Sequence, residues 1–184
     1  KVNNVFSVFE QTTIGDNLTS RWMASAAQDH QGNLAVGYSF AGSAAKPSIL
    51  YSGKLANEPA GVFRAEASLI NGTGVQTAFG FRWGDYSQMS IDPADDCSFW
   101  YTNQYYTAES QAESPFGWRT RIGKFRFAEC TDAPRATITG TVTNAASGVP
   151  IPNAKVTAAA YSRDTNAAGS YANLSVLPGT YNLI

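Results

Sequence analysis

Apolar and polar positions alternate along most of the chain in short runs separated by turns. Val2–Gln11 alternates weakly and reads as a strand, followed by the polar loop Thr12–Ser20. Trp22–Asp29 and Asn33–Phe40 read as two strands around a tight turn. Pro47–Leu55 reads as a third strand after the loop Gly42–Lys46. Gly61–Ile70 alternates and fits a strand or a short helix, the strand being favoured, and Asn71-Gly72 is a hairpin-type turn signal. Asp85–Asp92, Cys97–Tyr106 and Trp118–Phe127 give three more strands, with the polar loop Thr107–Pro115 before the last. No stretch shows helical periodicity.

The pattern repeats. Asp29–Tyr38 aligns without a gap on Asp92–Tyr101, an offset of 63 residues. In each copy an Asp ends one apolar stretch, four polar or turn residues follow, and a second stretch closes on Tyr. Gly53-Lys54-Leu55 then echoes in Gly123-Lys124-Phe125, which places seven extra residues in the loop before the last strand of copy two. Repeats of this period belong to stacked architectures, whose insertions fall in loops.

The texture changes at Thr131–Arg135, where Pro134 marks a linker. Aromatics nearly vanish beyond it, and Ala, Thr, Gly and Val take over. Ile138–Thr143 alternates strictly, Pro150–Ala154 turns, and Lys155–Ala160 forms a strand. Thr165–Gly169 turns again, Ser170–Leu174 follows, and Pro178-Gly179-Thr180-Tyr181 starts one more strand. Short strands at regular spacing predict a small β-sandwich. The expected domains are two repeats within 1–131 (about 21–81 and 82–130) and a sandwich over 136–184.

Composition narrows the setting. The 184 residues are 43% hydrophobic and 15% charged, with a net charge of −1. There is no basic footprint for nucleic acid. No apolar run approaches the length of a membrane helix. The start, without Met or an apolar leader, fits a mature or trimmed product. Cys97 and Cys130 lie equidistant from a point between Glu113 and Ser114, at the tip of a predicted hairpin. Opposed positions on paired strands bring Cβ atoms within disulfide reach, the alternative being two reduced, buried thiols. A disulfide implies an oxidising compartment, hence secretion or the cell surface.

Residues 138–181 carry a further signature: Ile138–Thr143, Gly148–Val156, Gly169-Ser170-Tyr171 and Leu177–Tyr181. Their order of Gly, Pro and Tyr resembles the carboxypeptidase regulatory-like domains. The resemblance implies a transthyretin-like sandwich acting as a spacer, stalk or adhesion module with no active site. The family pattern continues past the Gly-Thr-Tyr strand, so a longer natural protein is expected. Its added chain or a neighbouring subunit would cover Val5, Phe9, Tyr181 and Leu183. The Asp-turn-Gly-Asn-Leu element at Asp29–Leu34, with its echo at Asp92–Cys97, resembles sialidase-like and bacterial neuraminidase-repeat β-propellers of secreted proteins. Ala27 and Leu34 stand where that family's Asp-box has Ser or Thr and an aromatic. Sialidase chemistry needs an arginine cluster, and Arg21 and Arg82 are candidates by position alone. Arg121-Ile122 is followed by Gly123, so no Arg-Ile-Pro motif is present. The expected fold is therefore all-β: partial propeller-like repeats followed by a small transthyretin-like sandwich.

Candidate chemistry is sparse. Asp85, Asp92, Asp95 and Asp96 form the one dense acidic group, a candidate Ca²⁺ site or a set of turn caps. Trp100, Tyr105, Tyr106 and Trp118 are candidates for stacking on sugar rings, or else for packing between sheets. His30, the single histidine, reads as a solvated turn residue; one histidine makes a zinc site or a Ser-His-Asp triad hard to build. No catalytic set emerges. The leading expectation is a non-catalytic surface or adhesion module that binds glycan or another protein chain. The alternatives are a piece of a secreted hydrolase with its catalytic residues elsewhere, and a subunit of a surface filament.

Overall fold

The computed structural model describes residues 6–80 and 82–184. It is an all-β chain with one short helix among the described residues. It divides into two compact units, Lys1–Asp132 and Ala133–Ile184.

The first unit holds two antiparallel meanders. β1 (Thr19–Gln28), β2 (Leu34–Gly42), β3 (Ala45–Lys54) and β4 (Ala67–Ile70) form sheet 1 in that order. β5 (Gln88–Ile91), β6 (Ser98–Tyr105) and β7 (Arg119–Arg126) form sheet 2. The expected loop 42–46 is a two-residue turn, with Gly42 paired to Ala45. The strand expected over Gly61–Ile70 shrinks to its last four residues. Its front half instead runs beside the end of β3, where Ser52 Oγ donates to the Arg64 carbonyl at 2.6 Å and the Arg64 N–H donates to Gly53 O at 2.8 Å. Of the strand expected over Val2–Gln11, residues 2–5 lie outside the described residues and 6–11 form no strand.

The sheets pack face to face, β1 against β5, β2 against β6 and β4 against β7. Ala35, Ile49, Met89, Phe99 and Tyr101 are buried between them. Alternation along β2 turns Ala35 and Gly37 toward sheet 2 and Tyr38 away from it. A side chain at Gly37 would meet the Tyr101 ring at 2.5 Å, so glycine is what lets Tyr101 seat against β2. The sheets are also tied by a bulge between Trp22 and Ser25. There Met23 adopts φ 51°, and its carbonyl accepts from Ser87 Oγ at 2.8 Å and Tyr101 Oη at 3.3 Å. Bulges re-aim single groups in this way.

The echo survives with a change of register. Gln28 pairs with Leu34, but Ile91 pairs with Phe99, so the second turn is two residues longer than the gapless alignment implies. Two residues are one pleat period, so the facing is preserved. The faces carrying Tyr38 and Tyr101 point the same way, and the two sheets stack front to back. The third-strand echo does not keep phase: Leu34 pairs with Lys54, while its counterpart Phe99 pairs with Phe125. Gly53 consequently lies beneath Phe127, and Gly123 beneath Leu69 of the opposite sheet.

A helix, α1 (Ala108–Glu113), occupies the segment Thr107–Pro115, where the sequence pattern predicts a polar loop. Thr107 caps it, its Oγ1 accepting the Ser110 N–H at 3.0 Å, while Ser110 Oγ accepts the Thr107 N–H at 3.0 Å. This reciprocal pair is a capping box.

The second unit has two antiparallel pairs. β8 (Ala136–Thr141) pairs with β11 (Ser170–Val176), and β9 (Lys155–Ala158) with β10 (Tyr161–Asp164). Val156, Ala158, Tyr171, Leu174 and Val176 form its core. The sequence pattern did not anticipate β10. Its turn depends on Ala159 at φ 52°, a conformation that alternation does not signal. The expected last strand is reduced to a bridge between Ala158 and Leu183.

Candidate functional site

The Asp-containing turns are built from their own side chains. Asp29 is buried, and its Oδ1 accepts the N–H groups of Gln31 and Asn33, both at 2.9 Å. Its Oδ2 accepts Asn33 Nδ2 at 2.8 Å, and Gly32 takes φ 86° to let the chain reverse. In copy two Asp95 does the equivalent work, accepting from the N–H groups of Cys97 and Ser98 and from Ser98 Oγ. The two turns touch: the His30 N–H donates to Asp96 O at 3.1 Å. His30 is exposed, but its Nε2 lies 2.8 Å from Thr131 O, so it is anchored rather than freely solvated.

The four acidic candidates are held by these local contacts. Asp92 Oδ2 accepts from Lys124 Nζ at 2.7 Å and Trp100 Nε1 at 3.1 Å, and its Oδ1 accepts the Ala94 N–H at 2.9 Å. Asp85 pairs with Arg82 at 2.7 Å. Asp96 sits at φ 55° as a turn residue. These partners are what turn-capping carboxylates have, and they favour that role over calcium ligation. Among the described residues, His30, Cys97 and Cys130 place their donor atoms within 4.8 Å of one another. The two sulfurs are joined, however, so neither is available as a thiolate ligand.

The Cys97–Cys130 disulfide is formed across a Cα–Cα distance of 5.8 Å. The two residues are not directly opposed, as the midpoint argument expected. Ser98 pairs with Arg126, and Cys130 lies beyond the strand end, brought back by a turn in which its N–H donates to Phe127 O at 3.1 Å.

The Lys124 ammonium, bonded to Asp92 Oδ2, is the largest influence holding the Asp92 carboxyl down at about 2, followed by the Ala94 N–H and the Trp100 indole. A carboxyl depressed from 3.8 contributes stability that is fully present above that pH and lost as pH falls toward 2. Asp92→Asn is therefore expected to flatten the loss of stability between pH 4 and pH 2, as read by denaturant unfolding across that range. An unchanged slope would show that Asp92 carries none of it.

The arginines do not form a cluster. On the outer face of sheet 1, Arg21 grips Glu66 through two bonds, Nε–Oε1 at 2.6 Å and Nη2–Oε2 at 2.7 Å, and Tyr38 Oη donates to Glu66 Oε1 at 2.5 Å. Arg82 is instead paired with its neighbour Asp85. Tyr38 is only 2% exposed, and burial pushes its phenol well above the usual range, with the Glu66 bond adding to the shift. The trio thus works as a clamp between β1, β2 and the segment before β4. It does not present an activated nucleophile.

Of the four sugar-stacking candidates, the structure leaves one open. Tyr106 is fully buried and stacks on Trp83 at 5.5 Å. Tyr105 packs against the inter-sheet core. Trp100 is half-exposed, but Lys124 Nζ lies 5.2 Å over its ring. Trp118 lines a groove of about 590 Å³ beside sheet 2. Phe116 meets Trp118 edge-on at 6.2 Å, and the groove adds Trp83, Tyr86 and Gln104, which the sequence did not signal. Trp83 is fixed from behind by Ser39 Oγ, which accepts its Nε1–H at 2.9 Å. Gln104 Oε1 accepts the Gly84 N–H at 3.0 Å, while its Nε2 is buried with no partner among the described residues. The lining comes from three separated segments, which no sequence spacing connects. The one local hint is Pro115-Phe116-Gly117-Trp118, two aromatics placed in a turn.

Comparison with known proteins bears on the second unit. No curated protein and no solved structure matches the chain. The sialidase-like resemblance of the first 131 residues accordingly gains no support. Residues 137–184 match the family model of the carboxypeptidase regulatory-like domain.

Proposed function

We propose that this chain is a non-catalytic extracellular module that binds glycan in the groove beside sheet 2. The observation that carries the reading is the groove's wall: Trp118 and Phe116 are about half exposed and sit edge to face over an apolar floor. Ligand sites combine such apolar walls with a few polar groups that fix orientation. Here Thr102 and Thr120 line the groove and offer hydroxyls to a sugar. The disulfide favours an oxidising setting, and the regulatory-like second unit suits a spacer.

The finer architecture belongs to the same proposal. Two meanders of matching order, stacked front to back, are the arrangement of adjacent propeller blades.

A glycan array followed by titration calorimetry tests the binding reading. Trp118→Ala is expected to weaken binding of the best sugar about 30-fold, as truncating a central aromatic costs about 2 kcal/mol. Absence of any glycan bound at millimolar concentration, or a Trp118→Ala variant that binds equally well, refutes it.

A further inference from the structure

Sheet 1 has four strands and sheet 2 has three. In sheet 1, β4 runs antiparallel along β3, with Ile70 opposite Ile49 and Ala67 opposite Tyr51. At the corresponding place in sheet 2, the outer edge of β7 has no strand beside it among the described residues. Six of the eight residues of β7 are exposed: Arg119, Thr120, Arg121, Ile122, Lys124 and Arg126. Backbone groups of β7 on that side have no hydrogen-bond partner among the described residues. Such an edge is a template for another strand.

The side chains say which strand fits. β7 carries four cations in eight residues. Three have acidic partners: Arg119 with Glu113, Lys124 with Asp92, and Arg126 with Asp132. Arg121 has no ion pair or hydrogen bond among the described residues. Its neighbour Ile122 points to the opposite face and is 66% exposed. A strand laid along this edge would gain most by alternating carboxylates, on the Arg121 side, with branched apolar residues, on the Ile122 side. A second copy of this chain is disfavoured, because pairing β7 with β7 sets two rows of four cations against each other.

We propose that the free edge of β7 accepts an acidic, extended strand from another protein, completing sheet 2 as β4 completes sheet 1. The cations keep the edge from pairing indiscriminately and select the partner. The proposal does not rest on the sugar reading: Thr120 of β7 lines the groove, but Arg121 and Ile122 lie outside it.

The test uses the full chain and a synthetic probe, an acetylated peptide of seven residues alternating Glu and Val, with a Lys-Val peptide as control. The Glu-Val peptide is expected to bind, to slow amide hydrogen exchange within Arg119–Arg126, and to bind at least tenfold more weakly to Arg121→Glu. Arg121 is exposed, so that variant is expected to keep the fold; unchanged exchange in β2 and β6 checks it. Equal binding of both peptides, protection elsewhere than β7, or no binding overturns the proposal. Self-association through β7, seen by sedimentation and by protection of β7 in the protein alone, overturns it in favour of a second copy.

Discussion

Breaking the Cys97–Cys130 bond is expected to lower the stability of the first unit by about 3–4 kcal/mol, the chain-entropy value for a loop of this size. The bond spans 33 residues and encloses β6, α1 and β7. It lies at the end of the β6–β7 ladder away from α1, where Ser98 pairs with Arg126. The unfolded chain, freed of the link, gains the full entropy of that loop, while the folded ladder keeps its pairing. Both sulfurs are buried, so reduction requires opening of the strand ends. Denaturant unfolding of the Cys97→Ser, Cys130→Ser double variant, followed by tryptophan fluorescence, measures the effect. A difference under about 1 kcal/mol would mean that the unfolded first unit is already compact around this loop.

Alternation in the sequence located β1, β2, β3, β5, β6 and β7 to within a few residues, because inward and outward positions differ along each, with fully buried residues in β2, β3, β5 and β6 and only partly covered ones in β1 and β7. It failed where the determinant was not periodic. α1 is six residues long, too short to show a helical period, although Thr107 followed by Ala-Glu-Ser-Gln-Ala-Glu carried the capping signal. β10 is reached through a positive-φ Ala159, and the second Asp turn is longer because Asp95, rather than Asp92, caps the start of β6. The disulfide was legible as a pairing but not as a geometry, since a turn replaces the expected cross-strand opposition. The stacking candidates Trp100, Tyr105, Tyr106 and Trp118 were legible as a set of rings, not as their fates. Burial separates Tyr106 from Trp118, and burial depends on Trp83 arriving from a distant segment.

Phe99→Ala is expected to cost about 3–5 kcal/mol, the range for removing a fully buried phenyl group. Phe99 is 0% exposed and sits where the two meanders meet. It stacks on Phe125 at 5.5 Å and meets Phe127 edge-on at 5.8 Å, and Phe125 in turn lies 3.9 Å from Tyr51 of sheet 1. Removing the ring leaves a void bounded by strands of both sheets. Those strands are held by ladders and cannot close on it, so the loss of apolar burial and the cavity penalty add. The cost falls on the stacking of the sheets rather than on either ladder alone. Denaturant unfolding gives the magnitude, and amide exchange gives its location: protection should fall together in β2 and β6. A loss confined to sheet 2, with β2 protected as before, would show that the meanders fold independently and that their front-to-back contact contributes little.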